Sequence, residues 1–146
     1  RRQRQMCIRD RIILCPIGEI LVFQNPHEIT ALEMRFFTVN QKLPENLAVP
    51  KYGVYASAVT LENGKVYCGV TNIGVKPTVG GTKLLSETWM PDFHGGEIYG
   101  QTADVRLLDF IRPEKKFDNI TELKNAITDN AVTAKEIFDE MYRYEV

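Results

Sequence analysis

The order of patterns along this 146-residue chain predicts a mainly β domain, a small antiparallel barrel or curled sheet with helical cover at one end. Three observations carry that expectation. β-branched and apolar runs flank an Asn-Gly pair at Asn63-Gly64, residues 102–110 alternate with the period of a half-buried strand, and the helical pattern of the C-terminal part begins only after Arg112-Pro113. Strands first and helices last is the layout of a curled sheet with a helical cap, not of alternating βαβ units.

Element by element, residues 1–11 hold five arginines and one aspartate. Such a basic start reads as a disordered arm, a nucleic-acid tail or a targeting segment, yet the string 4–11 resembles the translation of a sequencing-library adapter. We therefore set 1–11 apart from a domain over 12–146, with 12–36 its least certain part. With no Met at position 1, the chain is expected to be a fragment. Residues 12–23 carry a strand signal broken near Pro16 and Gly18. Asn25 can cap a helix with Pro26 at its first position and Ile29, Leu32, Glu33 and Phe36 at helical spacing. Pro44 and Pro50 frame an extended loop. Residues 54–60 and 66–70 are β-rich, and the Asn63-Gly64 turn between them predicts a type I′ hairpin, because both residues tolerate positive φ. Gly74, Pro77, Gly80 and Gly81 predict a loop over 72–82, followed by a strand over 84–89 and a turn at 92–96. In 102–110, Ala103, Val105 and Leu107 face one way and Asp104 and Arg106 the other. Asn119 with Glu122 predicts a capping-box variant opening a short helix through Leu123 and Ile127. A last helix should present Ala134, Ile137, Phe138, Met141 and Tyr142 on one face.

Composition narrows the function. Eighteen Lys and Arg against nineteen Asp and Glu leave a net charge of -1, so the overall basic footprint of a nucleic-acid binder is absent. The longest apolar run is interrupted by Pro16, Gly18 and Glu19, too short for a membrane span. Cys7, Cys15 and Cys68 form no CxxC pair, and His27 and His94 stand alone; this set suits reduced thiols in a cytoplasmic protein better than a disulfide frame or a transition-metal site.

Five strings go further. Lys51-Tyr52-Gly53-Val54-Tyr55-Ala56, Gly69-Val70-Thr71-Asn72-Ile73-Gly74-Val75-Lys76-Pro77-Thr78, Glu87-Thr88 leading to Asp92-Phe93, Ile98-Tyr99-Gly100, and Phe110-Ile111-Arg112-Pro113-Glu114-Lys115-Lys116-Phe117 stand in the order and spacing of riboflavin kinase. The resemblance runs from about Thr38 to about Ala134. It implies a six-stranded antiparallel Greek-key barrel with a C-terminal helix, similar to the C-terminal half of bacterial bifunctional FAD synthetases. It also implies Mg²⁺-dependent transfer of the γ-phosphoryl group of ATP to the 5′-hydroxyl of riboflavin, giving FMN and ADP. The implied partners are these small molecules and, in the full-length parent, an FMN adenylyltransferase domain; no nucleic acid or membrane is implied.

The residues can be weighed against that chemistry, which needs a cation bridging phosphates, a cradle for them and an oriented acceptor. Glu87 matches the carboxylate that the family sets against the riboflavin hydroxyl and is the expected general base; the alternative is a solvated strand glutamate. Thr38 and Asn40 match the family's Thr and Asn in a Gly-Phe-Pro-Thr-x-Asn motif. Their hydroxyl and amide oxygens are hard donors suited to Mg²⁺ and to the nucleotide it carries, the alternative being turn hydrogen bonds. Arg112 matches a flap loop and is expected to bind flavin or phosphate, with a surface ion pair as its rival. Asn72, Gly74 and Pro77 match a loop near the substrates, where small residues can serve turn geometry alone. The apolar face of the last helix reads as core packing before an isoalloxazine shelf.

One departure stands out. The motif's glycine and proline are replaced by Arg35 and Phe37, and no glycine lies between Gly18 and Gly53, where the family approaches the phosphates with glycine backbone. That departure keeps a flavin-binding barrel without catalysis in view as the alternative function. A small nucleic-acid-binding barrel is a third reading, opposed by the charge balance.

Overall fold

The computed structural model describes residues 6–8, 38–42, 50–94 and 103–143. The strand expected over 12–23, the helix expected from Asn25 and the start of the 102–110 strand lie outside the described residues. Four antiparallel strands form the body of the fold: β3 (Gly53–Leu61), β4 (Val66–Thr78), β5 (Gly81–Trp89) and β6 (Ala103–Arg112). Two short segments, β1 (Met6–Ile8) and β2 (Thr38–Lys42), pair along the edges, and the hydrogen-bonded order is β1-β6-β3-β4-β5-β2. One helix, α1 (Ile120–Tyr142), comes after the strands.

The β3–β4 hairpin is where the Asn-Gly signal placed it, with a different turn. Gly64 N–H donates to the Leu61 carbonyl at 2.9 Å and Leu61 N–H to the Lys65 carbonyl at 2.9 Å. The loop is therefore three residues long, Glu62-Asn63-Gly64, not the two-residue type I′ turn expected; Asn63 Oδ1 accepts from Lys65 N–H and ties off its end.

The loop expected over 72–82 is also corrected. β4 runs unbroken through Asn72 and Gly74 to Thr78, and β5 begins at Gly81. The turn is compressed into the tip, where Gly80 and Gly81 take φ of +93° and +155°, values that L side chains rarely adopt. Gly74 and Pro77 sit within a strand and do not end it.

Strand alternation sorts the side chains into two faces. On one, Val54, Ala56, Ala58, Cys68, Val70 and Leu108 pack with Ala134 of α1, and Ile137, Phe138, Met141 and Tyr142 flank them. On the other, Val59, Leu61, Ala103 and Val105 join Met90 and Phe93, while Ile73 and Leu107 form a second apolar cluster. That inner face also buries hydroxyls. Thr71 Oγ1 donates to Ser57 Oγ at 2.7 Å, and with its one proton so used it accepts from Thr88 Oγ1, also at 2.7 Å. The alternation expected for β6 holds, with Ala103, Val105 and Leu107 buried and Asp104 exposed.

The C-terminal part holds one helix where two were expected. Asn119 caps it as anticipated, accepting from Glu122 N–H at 2.9 Å. Between Ile127 and Ala134 the chain has no Gly or Pro to break the backbone, and α1 continues for 23 residues.

Candidate functional site

The pairing registers bring the expected site residues into one line across the face that α1 partly covers. Asn40 of β2 lies opposite Glu87 of β5, Glu87 opposite Asn72 of β4, Asn72 opposite Val54 of β3, and Val54 opposite Arg112 of β6. Residues directly opposite one another occupy the same sheet face, and neighbouring strands are about 4.8 Å apart. Position 87 is therefore flanked on either side, roughly 5 Å away across the ladder, by positions carrying amides. Asn72 and Glu87 are half-buried, neither sealed in the core nor freely solvated.

Thr38 lies two positions from Asn40 and opposite Trp89, and Gly74 lies opposite Leu85, so these two occupy the adjoining lines on either side. Pro77 is not gathered with the others: it pairs with Thr82 near the hairpin tip.

Arg112, at the far end of the line, is held by the helix and by the chain just beyond it. Its Nε donates to Asn130 Oδ1 of α1 at 3.1 Å, its Nη1 donates to the Pro113 carbonyl at 3.0 Å, and its guanidinium lies 5.4 Å from the centre of the Phe117 ring. Burial pulls its pKa below the ordinary arginine value, which still leaves the group cationic in any physiological range. The surface ion pair weighed as its alternative is not among the described contacts: the partners are an amide, a carbonyl and a ring.

The segment after Arg112 then turns back over the sheet. The Glu114 carboxylate occupies the space beside Gly74 that a Cβ would fill, contacting the position directly. Gly74 is thus a place of close approach, and the group approaching it is a side chain of the segment just after β6.

Two residues that no sequence pattern singled out enter the site in this way, Asn130 and Glu114. Glu114 was visible only as a member of the Arg-Pro-Glu-Lys-Lys-Phe string. Asn130 had a signal: it is a polar residue inside the apolar stripe of a helix, between Ile127 and Ala134, and it is 6% exposed.

Known proteins resemble this chain over the same region. A protein-family model described as "Riboflavin kinase" matches residues 27–138. The bifunctional riboflavin kinase/FMN adenylyltransferase of Haemophilus influenzae is 38% identical over 104 residues, 71% of this chain and 33% of that protein. Its counterpart in Listeria monocytogenes is 38% identical over 89 residues, 60% of this chain and 28% of that protein. An RNA-binding riboflavin kinase of Bacillus subtilis is 41% identical over 76 residues, 51% of this chain and 32% of that protein. Among solved structures, one titled as a macrolide-efflux protein from Streptococcus pneumoniae aligns with a TM-score of 0.59 and 28% identity, over 67% of this chain and 32% of that one. The chain spans about a third of the length of the curated relatives it matches.

Proposed function

The chain belongs to the riboflavin kinase family, and from that premise we propose that it phosphorylates riboflavin to FMN with ATP as donor. The observation that carries the reading is the line Asn40, Glu87, Asn72, Val54, Arg112 across one sheet face. In it a carboxylate stands between two amide-bearing positions, with a held cation at the far end.

In the proposed step, the riboflavin 5′-oxygen forms a bond to the γ-phosphorus as the bond from that phosphorus to the β,γ-bridging oxygen breaks. ADP leaves, and the hydroxyl proton passes to Glu87. Asn72 orients the acceptor beside Glu87. Arg112 meets flavin or phosphate through the part of its guanidinium that Asn130 and Pro113 do not use. Gly74 and Pro77 shape the approach. A divalent cation fits the donor set that the β2 register brings to the Glu87 line: Thr38 and Asn40, a hydroxyl and an amide oxygen, are hard donors of the kind Mg²⁺ prefers. When bound, it neutralises charge on the phosphates.

Further parts of the reading rest on the same family membership. The sheet closes into a six-stranded Greek-key barrel; the six paired segments and the burial of the face remote from α1 support this. The family match starting at 27 is in keeping with a kinase domain within 12–146, whereas the pairing of Met6–Ile8 with β6 counts against 1–11 being foreign to it. The bifunctional relatives support association with an FMN adenylyltransferase domain. A cytoplasmic location is in keeping with the substrates, and no helix among the described residues is long and apolar enough to cross a membrane. The glycine-free stretch before Gly53 favours one second reading, a barrel that binds flavin without turning it over.

Incubating the chain with riboflavin, ATP and Mg²⁺, beside Glu87→Gln, tests the proposal. FMN formed by the natural sequence and lost in the variant is the expected result. Riboflavin binding without any FMN supports the second reading, and neither binding nor product overturns both.

A further inference from the structure

A buried asparagine on a core-facing helix stripe is a costly choice. Its amide has to find partners away from water, and an apolar side chain of similar volume packs there without that demand. Asn130 is 6% exposed on α1, one turn before the fully buried Ala134. Its described partner is not backbone or the helix's own side chains but Arg112, 18 residues earlier, whose Nε–H it accepts at 3.1 Å.

The geometry of that bond has a consequence for the arginine. A guanidinium carries five donors in one plane. One is taken by Asn130 and one by the Pro113 carbonyl, while the Nη2 group has no hydrogen-bond partner among the described residues. Two fixed points on a planar group set its orientation, and the remaining donors then point in one direction. Without Asn130, the side chain would keep one hydrogen bond, to the residue next to it in sequence, and the non-directional contact with the Phe117 ring, and would be free to turn about its own long stem.

We propose that Asn130 is a positioning residue for the flap arginine: its amide oxygen locks the plane of Arg112 so that the unused donors face the ligand. The inference rests on the reading of Arg112 as a ligand-binding residue. It assigns Asn130 no contact with substrate. Helix α1 thereby orients part of the site as well as covering the sheet.

The test compares Asn130→Leu, which keeps the volume and removes the acceptor, with Asn130→Asp, which keeps an acceptor oxygen in the same place. Each is made in the natural chain and in an Arg112→Ala background, and thermal unfolding establishes that each variant is folded. Riboflavin affinity is read by flavin fluorescence and ATP affinity by calorimetry, so no turnover is required. In the natural background, Asn130→Leu should weaken whichever ligand Arg112→Ala weakens, by about tenfold, as a misplaced binding group does. Asn130→Asp should stay within about threefold, a loss typical of a hydrogen bond changed but kept. In the Arg112→Ala background, Asn130→Leu should have no further effect, because a residue acting through another adds nothing once that other is gone. Equal losses for Leu and Asp, or an undiminished loss in the Arg112→Ala background, overturn the inference while leaving Arg112 as a ligand contact. If Arg112→Ala weakens neither ligand, the reading of Arg112 fails first and the inference falls with it.

Discussion

Two adjoining lines across the same sheet face do opposite work. In one, Ala56 pairs with Val70 and Val70 with Trp89; in the next, two residues along each strand, Val54 pairs with Asn72 and Asn72 with Glu87. The strands and the face are the same, and the displacement is roughly 7 Å. In the first, these three residues are apolar and belong to, or pack against, the cluster that α1 covers. In the second, the amide of Asn72 and the carboxylate of Glu87 remain half-buried. The helical cover thus coincides with the apolar positions, and the candidate site with the half-buried polar positions beside them. Where α1 ends its apolar contact it supplies Asn130, and from there the sheet turns polar.

The sharpest way to separate the polar line from the covered cluster is to change their chemistry one at a time. Glu87→Gln keeps shape and hydrogen bonding but removes the base, so FMN formation should fall by roughly a hundred- to ten-thousand-fold, about 3 to 5 kcal/mol of barrier. Thermal stability and riboflavin affinity should be nearly unchanged, and steady-state kinetics beside fluorescence titration checks this. Ala58→Leu does the reverse. Ala58 is 1% exposed beneath α1, opposite Cys68, and a larger side chain should cost about 1–3 kcal/mol of stability in denaturant unfolding. Turnover per folded molecule should be retained.

A pH experiment probes the covered region alone. Burial pushes the Cys68 thiol up from 9.0 to about 11, with Lys135 opposing that rise and Asp92 and Asp139 adding to it. The folded thiol holds its proton at a pH where the unfolded one has lost it, so between about 9 and 11 the folded state binds more protons and stability falls as pH rises. Cys68→Ala should flatten that part of the stability profile. The same burial makes the thiol unreactive near neutral pH, and a maleimide should label it only on unfolding.

The smallest effect belongs to Gly74, on the far side of the site line. A Cβ there meets only the end of the flexible Glu114 side chain, which can swing away. Gly74→Ala should therefore change stability by less than about 1 kcal/mol while raising the riboflavin KM severalfold as the flap is displaced. A large loss of stability would show that the contact supports the fold.

Much of this was legible from residues alone, for identifiable reasons. The hairpin at Asn63-Gly64, the alternation in β6 and the cap at Asn119 are local signals, and each appears where its chemistry points. The strings containing Asn72, Glu87 and Arg112 marked the residues that the registers align. Errors arose where a local rule was overruled from a distance. Gly74 and Pro77 read as loop residues, yet the strand passes through them, paired with β5 residue by residue from Asn72 to Thr78. The stretch 128–133 reads as a break between helices because Thr, Asp and Asn favour turns; α1 continues through it, with Thr128 Oγ1 donating to the Lys124 carbonyl and Asn130 held by Arg112. The alignment of Asn40 with Glu87 depends on pairing between β2 and β5, forty-seven positions apart, which no local pattern encodes.

Mapping where riboflavin binds, by backbone amide shifts of the isotopically labelled chain during titration, decides between the two lines. Binding on the polar line predicts the largest changes at Asn72, Glu87 and Arg112 and along the segment to Phe117, with Ser57, Val59 and Val105 on the inner face almost unmoved. Changes centred on the inner face, or on Ala56, Val70 and Ala134 beneath the helix, would contradict it.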